Sequence, residues 1–312
     1  MALRNLQKKY VKKLVLNYGK RESFKFKNDN TFVKILETVR EDDVFIIQTM
    51  NPSVDEKIME LLITLDALKR ASPRRITVVL PYYPYSRSDK KDQPRVPITA
   101  KLIADLLVTA GADRILTCDL HNSAIQGFID VPSDQLKAKD LLISYFKPIA
   151  EADKGNVTVV ATDAGSSKKA YKYAEKLGTN IALVDKRREG NDDRAIATNI
   201  IGEVTGRTCL IFDDEIDTAG SIVETINVLN KNGAKQIYAA CTHGVLSGPA
   251  IERIQSTNVK EVVITNTIPL TEEKKIDKIK VLDIAPLFGR AISKIHTGEG
   301  IGELFEDKKM EF

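Results

Sequence analysis

The chain has no tryptophan, and aromatic residues make up only 6% of its 312 positions. Nucleic-acid surfaces that stack bases need basic residues interleaved with aromatics, and no such stripe is present. The formal net charge of +4 is too small to argue for a polyanionic partner. Cysteine is scarce. Cys118, Cys209 and Cys241 each lie in or beside an apolar run, and none is paired at C-x-x-C spacing. They read as buried thiols of a reducing cytoplasm, not as a disulfide frame or a metal site. No apolar stretch approaches the ~20 residues that span a bilayer, so no membrane partner is expected. The N-terminal stretch has no uninterrupted apolar core of the signal-peptide kind. Leu6, Tyr10, Val11 and Leu14 recur among its lysines as in a short basic amphipathic helix.

What is present is an ordinary globular balance, 43% hydrophobic and 29% charged, in a length that suits two domains. Short apolar runs alternate with helical stretches. Val44–Ile47 reads as a buried strand. Ile58, Leu61, Leu62, Leu65 and Leu68 then fall on one helical face. Ile76–Leu80 is a strand stopped by Pro81. Pro97 suits the first turn of a helix with Leu102, Ile103, Leu106 and Leu107 as its stripe, and Ile115–Cys118 is the next strand. The alternation resumes at Val157–Ala161, Ile181–Val184, Thr208–Phe212, Ile237–Cys241 and Val262–Thr265. Such order means α/β architecture, with mostly parallel sheets flanked by helices. Gly111–Ile115 before His121 is echoed by Gly233–Ile237 before His243, which suggests two similar units. The polar segment Ser133–Asp140 reads as the crossing between them.

The strongest chemical signal is the run from Cys209 to Ser221. A buried strand leads into Asp213 and Asp214, then a small-residue turn through Asp217, Thr218, Ala219, Gly220 and Ser221, then a helix. Backbone N–H groups and hydroxyls at a helix N-terminus form an anion cradle. Paired carboxylates beside a phosphate site suit the hydroxyls of a sugar. A ribose phosphate meets both demands; the plain structural alternative is an acidic loop with Asp217 as N-cap.

That loop resembles the phosphoribosyl-diphosphate loop of type I phosphoribosyltransferases and, more closely, of ribose-phosphate pyrophosphokinases. The resemblance extends from about Phe24 to Phe305. It takes in Met59–Ser72, Pro97–Lys101, Asp119-Leu120-His121 with Gln126–Phe128, Thr242–Gly244 with Ser247–Ala250, and Gly298-Glu299. It implies two tandem phosphoribosyltransferase-like (type I) domains, 1–140 and 141–295, with a tail over 296–312 returning to the first. It also implies transfer of the diphosphoryl group of ATP to ribose 5-phosphate, with Mg2+, in a dimer-based hexamer. Phe26, Asn28, Asp29 and Asn30 would supply adenine contacts to the neighbouring subunit. Arg87 and Ser88 would contact ATP. His121 and Asp163 would serve Mg2+, His121 also within the ATP site. Lys186 and Arg188 would close a catalytic loop on the triphosphate, Arg188 also reaching ribose 5-phosphate. Asp213, Asp214 and Asp217–Ser221 would hold the sugar phosphate. His243 is left with a structural role.

The chain departs from the family in several places. Ser88 stands where Gln is usual, Asp29 where Gly is, and Asn30 where Glu is. Relatives controlled by phosphate and ADP carry Gly-Glu-Ser-x-Ser near the C-terminus, whereas this chain reads Gly298-Glu299-Gly300-Ile301-Gly302-Glu303. Thr49 and Pro94 stand where serines are common. Weakened or absent allosteric control follows. Two other readings compete. A phosphoribosyltransferase would not need Arg87, His121 or the Lys186 loop. A non-catalytic regulatory homologue would typically have lost loop lysines or the acidic pair.

Overall fold

The structure, a computed structural model, describes residues 19–188 and 196–304. The chain forms two compact units. One holds the residues up to Lys137, Thr267–Pro269, and those from Ile284 on; the other holds Ala138–Asn266 and Leu270–Asp283.

The first unit opens with an antiparallel hairpin, β1 (Arg21–Lys25) and β2 (Thr31–Ile35). Its sheet is parallel and ordered β3 (Asp43–Ile47), β4 (Arg75–Leu80), β5 (Arg114–Cys118), β6 (Ser133–Leu136). Strand β4, Arg-Ile-Thr-Val-Val-Leu, is buried along nearly its whole length, as a β-branched run covered on both faces should be. Helix α1 (Val54–Arg70) buries Ile58, Leu61, Leu65 and Leu68, the face its periodicity predicts. Helix α2 (Thr99–Ala110) is rotated from expectation. It buries Ala100, Ile103, Ala104 and Leu107, while Leu102 is 52% exposed. Alanines at the i and i+4 positions let this helix sit close, which turns the larger leucines outward.

The second unit carries a seven-stranded sheet. Its order is β13 (Ile279–Leu282), β12 (Glu261–Thr265), β11 (Gln236–Gly244), β10 (Thr208–Ile216), β7 (Val157–Ala161), β8 (Asn180–Arg188), β9 (Ile196–Ile201). Every pair is parallel except β8–β9. Helices α3 (Lys139–Ala152), α4 (Ser167–Leu177), α5 (Gly220–Lys231) and α6 (Ala250–Gln255) connect the strands. Two apolar clusters form its core. Ile222, Ile226 and Leu229 of α5 join one, and Leu142 and Phe146 of α3 join the other, where Tyr173 stacks on Phe212 at 3.9 Å.

Two boundaries move relative to the sequence reading. Ser133–Asp140 is no crossing loop: it contains β6 and the start of α3. Its polar side chains belong to an edge strand, where Asp134 pairs with Arg114, and Leu136 and Ala138 are fully buried. The units divide at Lys137/Ala138. Helix α7 (Ala285–Thr297) belongs to the first unit, where Arg75 Nη2 donates to the Ile295 carbonyl at 2.9 Å and His296 Nδ1 lies 2.9 Å from Asp43 Oδ2. The internal echo holds at the glycines, both at positive φ after a helix, but diverges at the histidines. His121 lies in the loop beyond β5, whereas His243 is buried inside β11.

Candidate active site

Strand β10 is central to its sheet, between β11 and β7, and brings the acidic pair to its C-terminal end. The strand continues past the carboxylates to Ile216, in register with β11: Asp213 opposite Cys241 and Glu215 opposite His243. Asp214 is buried, with only 9% of its surface exposed. Asp213 Oδ1 accepts from the Asp214 backbone N–H at 2.8 Å. Burial and the neighbouring Asp214 charge push the Asp213 carboxyl up to about 6, and Lys169 pulls the other way. Lys169 Nζ donates to Asp214 Oδ1 at 2.5 Å and lies 3.5 Å from Asp213 Oδ1.

The turn after β10 is held from outside. Leu246 N–H donates to the Ile216 carbonyl and Ser247 N–H to the Asp217 carbonyl, both at 3.0 Å. Arg253 Nη1 donates to the Thr218 carbonyl at 2.9 Å. Ala219 has φ 60°, a left-handed conformation costing a non-glycine residue on the order of 1 kcal/mol. Helix α5 begins at Gly220, and the residue at its N-cap position, Ala219, makes no side-chain capping hydrogen bond. Asp217 is therefore not at the N-cap position, and the first turn of α5 is where an anion cradle has its backbone donors. Gly244 packs closely nearby: a Cβ there would lie 2.7 Å from Ile264 Cδ1, and that side chain would have to shift.

Asp163, at the end of β7, is exposed. Its Oδ1 accepts from Ser166 N–H at 2.7 Å, and Ser166 Oγ accepts from Asp163 N–H at 3.2 Å, a reciprocal turn that starts α4. Lys186 and Arg188 lie on the β8 backbone, paired with Thr198 and Ile196 of β9. Their side chains, and residues 189–195 of the same loop, lie outside the described residues.

In the first unit, the Arg87 loop follows β4 and the His121 loop follows β5. Asn122 Nδ2 donates to Asp89 Oδ2 at 2.8 Å and so joins them. Both loops carry backbone in the left-handed region, at Tyr85 (φ 56°) and Asp119 (φ 37°). Tyr85 is fixed by its hydroxyl donating to Asp55 at 2.6 Å. The Ser88 hydroxyl is engaged at the start of the next helix. Thr99 N–H donates to its Oγ at 3.3 Å, and that hydroxyl lies 3.2 Å from Thr99 Oγ1, at the start of α2. The Phe26–Asn30 turn joins β1 to β2. Asn28 Oδ1 accepts from Asn30 N–H at 3.3 Å, and Lys25 pairs with Asp29 at 3.0 Å. Asp29 has φ 69°, which is why glycine would suit that position. The hairpin is tied to α1 by Arg21 and Lys25, which pair with Glu60 and Glu56 at 3.0 and 2.8 Å. The Phe26 ring is half-exposed and meets Phe24 edge-on.

Sequence reasoning missed Lys169, Arg253 and Asn122. The two lysines at 168 and 169 read as a solvated helix face, and nothing in a spacing of 45 residues marks a partner for Asp214. Arg253 is likewise far along the chain from Thr218.

Comparison with known proteins gives these loops a family. A model of the N-terminal domain of ribose phosphate pyrophosphokinase matches residues 1–111, and one of the phosphoribosyl synthetase-associated domain matches residues 194–306. A ribose-phosphate pyrophosphokinase of Fusobacterium nucleatum is 48% identical over 301 residues, covering 96% of this chain and 94% of the relative. The chain belongs to the ribose-phosphate pyrophosphokinase family. Another pyrophosphokinase, from Clostridium acetobutylicum, is 51% identical over 284 residues, covering 91% of this chain and 88% of that one. The phosphoribosylpyrophosphate synthetase of Mycobacterium smegmatis has the same fold, with TM-score 0.87, 41% identity, and coverage of 95% of this chain and 96% of that one. The expected α/β architecture with parallel, helix-flanked sheets is therefore the family's own.

Proposed function

We propose that the chain transfers the diphosphoryl group of ATP to the C1 hydroxyl of ribose 5-phosphate, giving 5-phosphoribosyl 1-diphosphate and AMP for nucleotide biosynthesis. The arrangement that carries this reading is the Asp213–Asp214 pair at the end of β10, followed by a small-residue turn into the N-terminus of α5. The pair accepts the ribose hydroxyls, and Asp217, Thr218, Ala219, Gly220 and Ser221 hold the 5-phosphate.

Arg87 and His121 hold the ATP phosphates, and the Asp89–Asn122 bond keeps their loops in register. Phe26, Asn28, Asp29 and Asn30 approach adenine from a neighbouring subunit, in a dimer-based homo-oligomer of hexameric size. Their exposed hairpin is consistent with that use, and a light-scattering mass tests it. Mg2+ binds through substrate phosphates with one or two protein groups, here His121 for the ion of Mg·ATP and Asp163 for a second ion. The ion would neutralise phosphate charge. The setting is cytoplasmic; no helix of the described residues is long and apolar enough to cross a membrane.

The reaction is one in-line displacement, the anomeric hydroxyl attacking the β-phosphorus and AMP leaving. Lys186 and Arg188 stabilise charge on the non-bridging oxygens and the leaving α-phosphate. The acidic pair orients the sugar. Incubation with ATP, ribose 5-phosphate and Mg2+ should release AMP in step with 5-phosphoribosyl 1-diphosphate. Consumption of 5-phosphoribosyl 1-diphosphate with a free base would instead mark a phosphoribosyltransferase, and no turnover of either a regulatory homologue.

A further inference from the structure

Lys169 belongs to none of the motifs that mark the site, yet the fold brings it to the acidic pair. It is the third residue of α4, whose first turn contains Lys168 and Lys169 and no acid. The first turn carries the positive end of the helix dipole, the least favourable place on a helix for a lysine. A partner carboxylate resolves that mismatch: Lys169 Nζ donates to Asp214 Oδ1 at 2.5 Å and stands 3.5 Å from Asp213 Oδ1. The lysine approaches from the solvent side, its side chain 38% exposed against 11% for Asp214.

We propose that Lys169 is a positioning residue for the ribose diol, fixing the Asp214 carboxylate and keeping both members of the Asp213–Asp214 pair available as hydrogen-bond acceptors. The inference rests on the reading that this pair receives the ribose hydroxyls. Two adjacent carboxylates, Asp214 buried and Asp213 partly so, tend to share a proton, and a carboxyl that keeps its proton has lost acceptor capacity. Other titratable groups lie beside the pair on β10 and β11. Glu215 follows on the same strand, and Cys241 and His243 stand opposite Asp213 and Glu215 on β11. The Asp213 carboxyl is already raised, by burial first and by Asp214 second, with Lys169 acting against both. Removing the ammonium leaves the pair holding its proton at higher pH and leaves Asp214 free to turn.

Steady-state kinetics of the full chain with Mg2+, varying each substrate in turn, test this. Lys169→Met should raise KM for ribose 5-phosphate about ten-fold or more while KM for ATP stays within about two-fold. It should also move the acid limb of kcat/KM for ribose 5-phosphate to higher pH, and Lys169→Arg should restore most of both. Lys169→Gln keeps a donor without the charge and carries the same test should the methionine variant fail to fold. An unchanged KM for ribose 5-phosphate, or an equal rise for both substrates, overturns the proposal. Asp214→Asn separates the two ideas. If it leaves KM for ribose 5-phosphate unchanged, the acidic pair does not bind the diol. If it raises that KM while the Lys169 variants do not, the role of Lys169 alone falls.

Discussion

Arg253 reaches from α6 to the carbonyl oxygen of Thr218, 2.9 Å from its Nη1, and so clamps the turn in which Ala219 holds its left-handed backbone. A hydrogen bond from a charged donor is worth about 1.5–3 kcal/mol. Exposure of Arg253 puts this one at the low end. Arg253→Met should therefore raise KM for ribose 5-phosphate roughly ten-fold through a loosened cradle, with KM for ATP unmoved. Equal changes in both constants would instead indicate general loosening of the second unit.

Lys186→Ala should lower kcat by about a hundred- to a thousand-fold, the scale of losing one preorganised donor to a charged transition state. Its melting temperature should match that of the parent. A near-normal kcat removes Lys186 from the charge-stabilising role, whatever the KM values do.

The two α/β units could be read from the sequence because each strand's apolar run and each helix's stripe is a local property. Cys209–Ser221 also shows its chemistry locally, since strand, acids and turn follow one another. Lys169 and Arg253 were not legible. Each meets its partner only after the sheet has formed, and a lysine or arginine on a helix reads as solvated surface. Helix α2 shows a second limit. Leu102 and Leu106 outrank Ala100 and Ala104 in hydrophobicity, but the smaller pair packs into the core of the first unit. Ser133–Asp140 shows a third, because an edge strand with paired charges looks like a loop.

Asp213 sets a pH dependence. Its folded-state value of about 6 lies above the ordinary 3.8, so it is neutral below about 6 and charged above. Diol binding needs the charged form, so kcat/KM for ribose 5-phosphate should fall as pH drops through about 6. The sign for stability is opposite: the raised value favours the fold at low pH, and that contribution is lost as pH rises through about 6. The substrate phosphate also titrates near 6. The acid limb must therefore be compared with that of Asp213→Asn, which should lack the enzyme's share.

Inorganic phosphate should not activate this enzyme when substrates and Mg2+ are saturating. Lys294, on α7, faces Glu299 at 3.5 Å and Glu303 at 3.6 Å, and these line a pocket of about 510 Å³ with Gly300 and Gly302. Hydrogen bonds from Thr297 and then Lys294 hold the Glu299 carboxyl below its usual range, so the pocket keeps its negative charge. The Thr49 hydroxyl is likewise engaged, donating to the Thr267 carbonyl at 3.1 Å. Activation of several-fold by millimolar phosphate would show that an anion displaces these carboxylates.

Ser88 should prove to be a stability residue. Family resemblance places it at ATP, but its hydroxyl accepts from the first N–H of α2 at 3.3 Å, and Ala100 N–H donates to its carbonyl at 3.1 Å. Helix α2 has Ile98 at its N-cap position, which has no capping side chain, and its first turn has no acid, so Ser88 caps it from a distance in sequence. Ser88→Ala should cost about 0.5–1.5 kcal/mol, seen as a fall of roughly 2–5 °C in melting temperature. KM for ATP should stay within about two-fold. Ser88→Gln provides the opposing test, since glutamine is the usual residue here in relatives. Its longer amide cannot reproduce the short cap, so the melting temperature should fall even if ATP binds more tightly. A rise in KM for ATP in Ser88→Ala with no loss of stability would return the hydroxyl to the nucleotide.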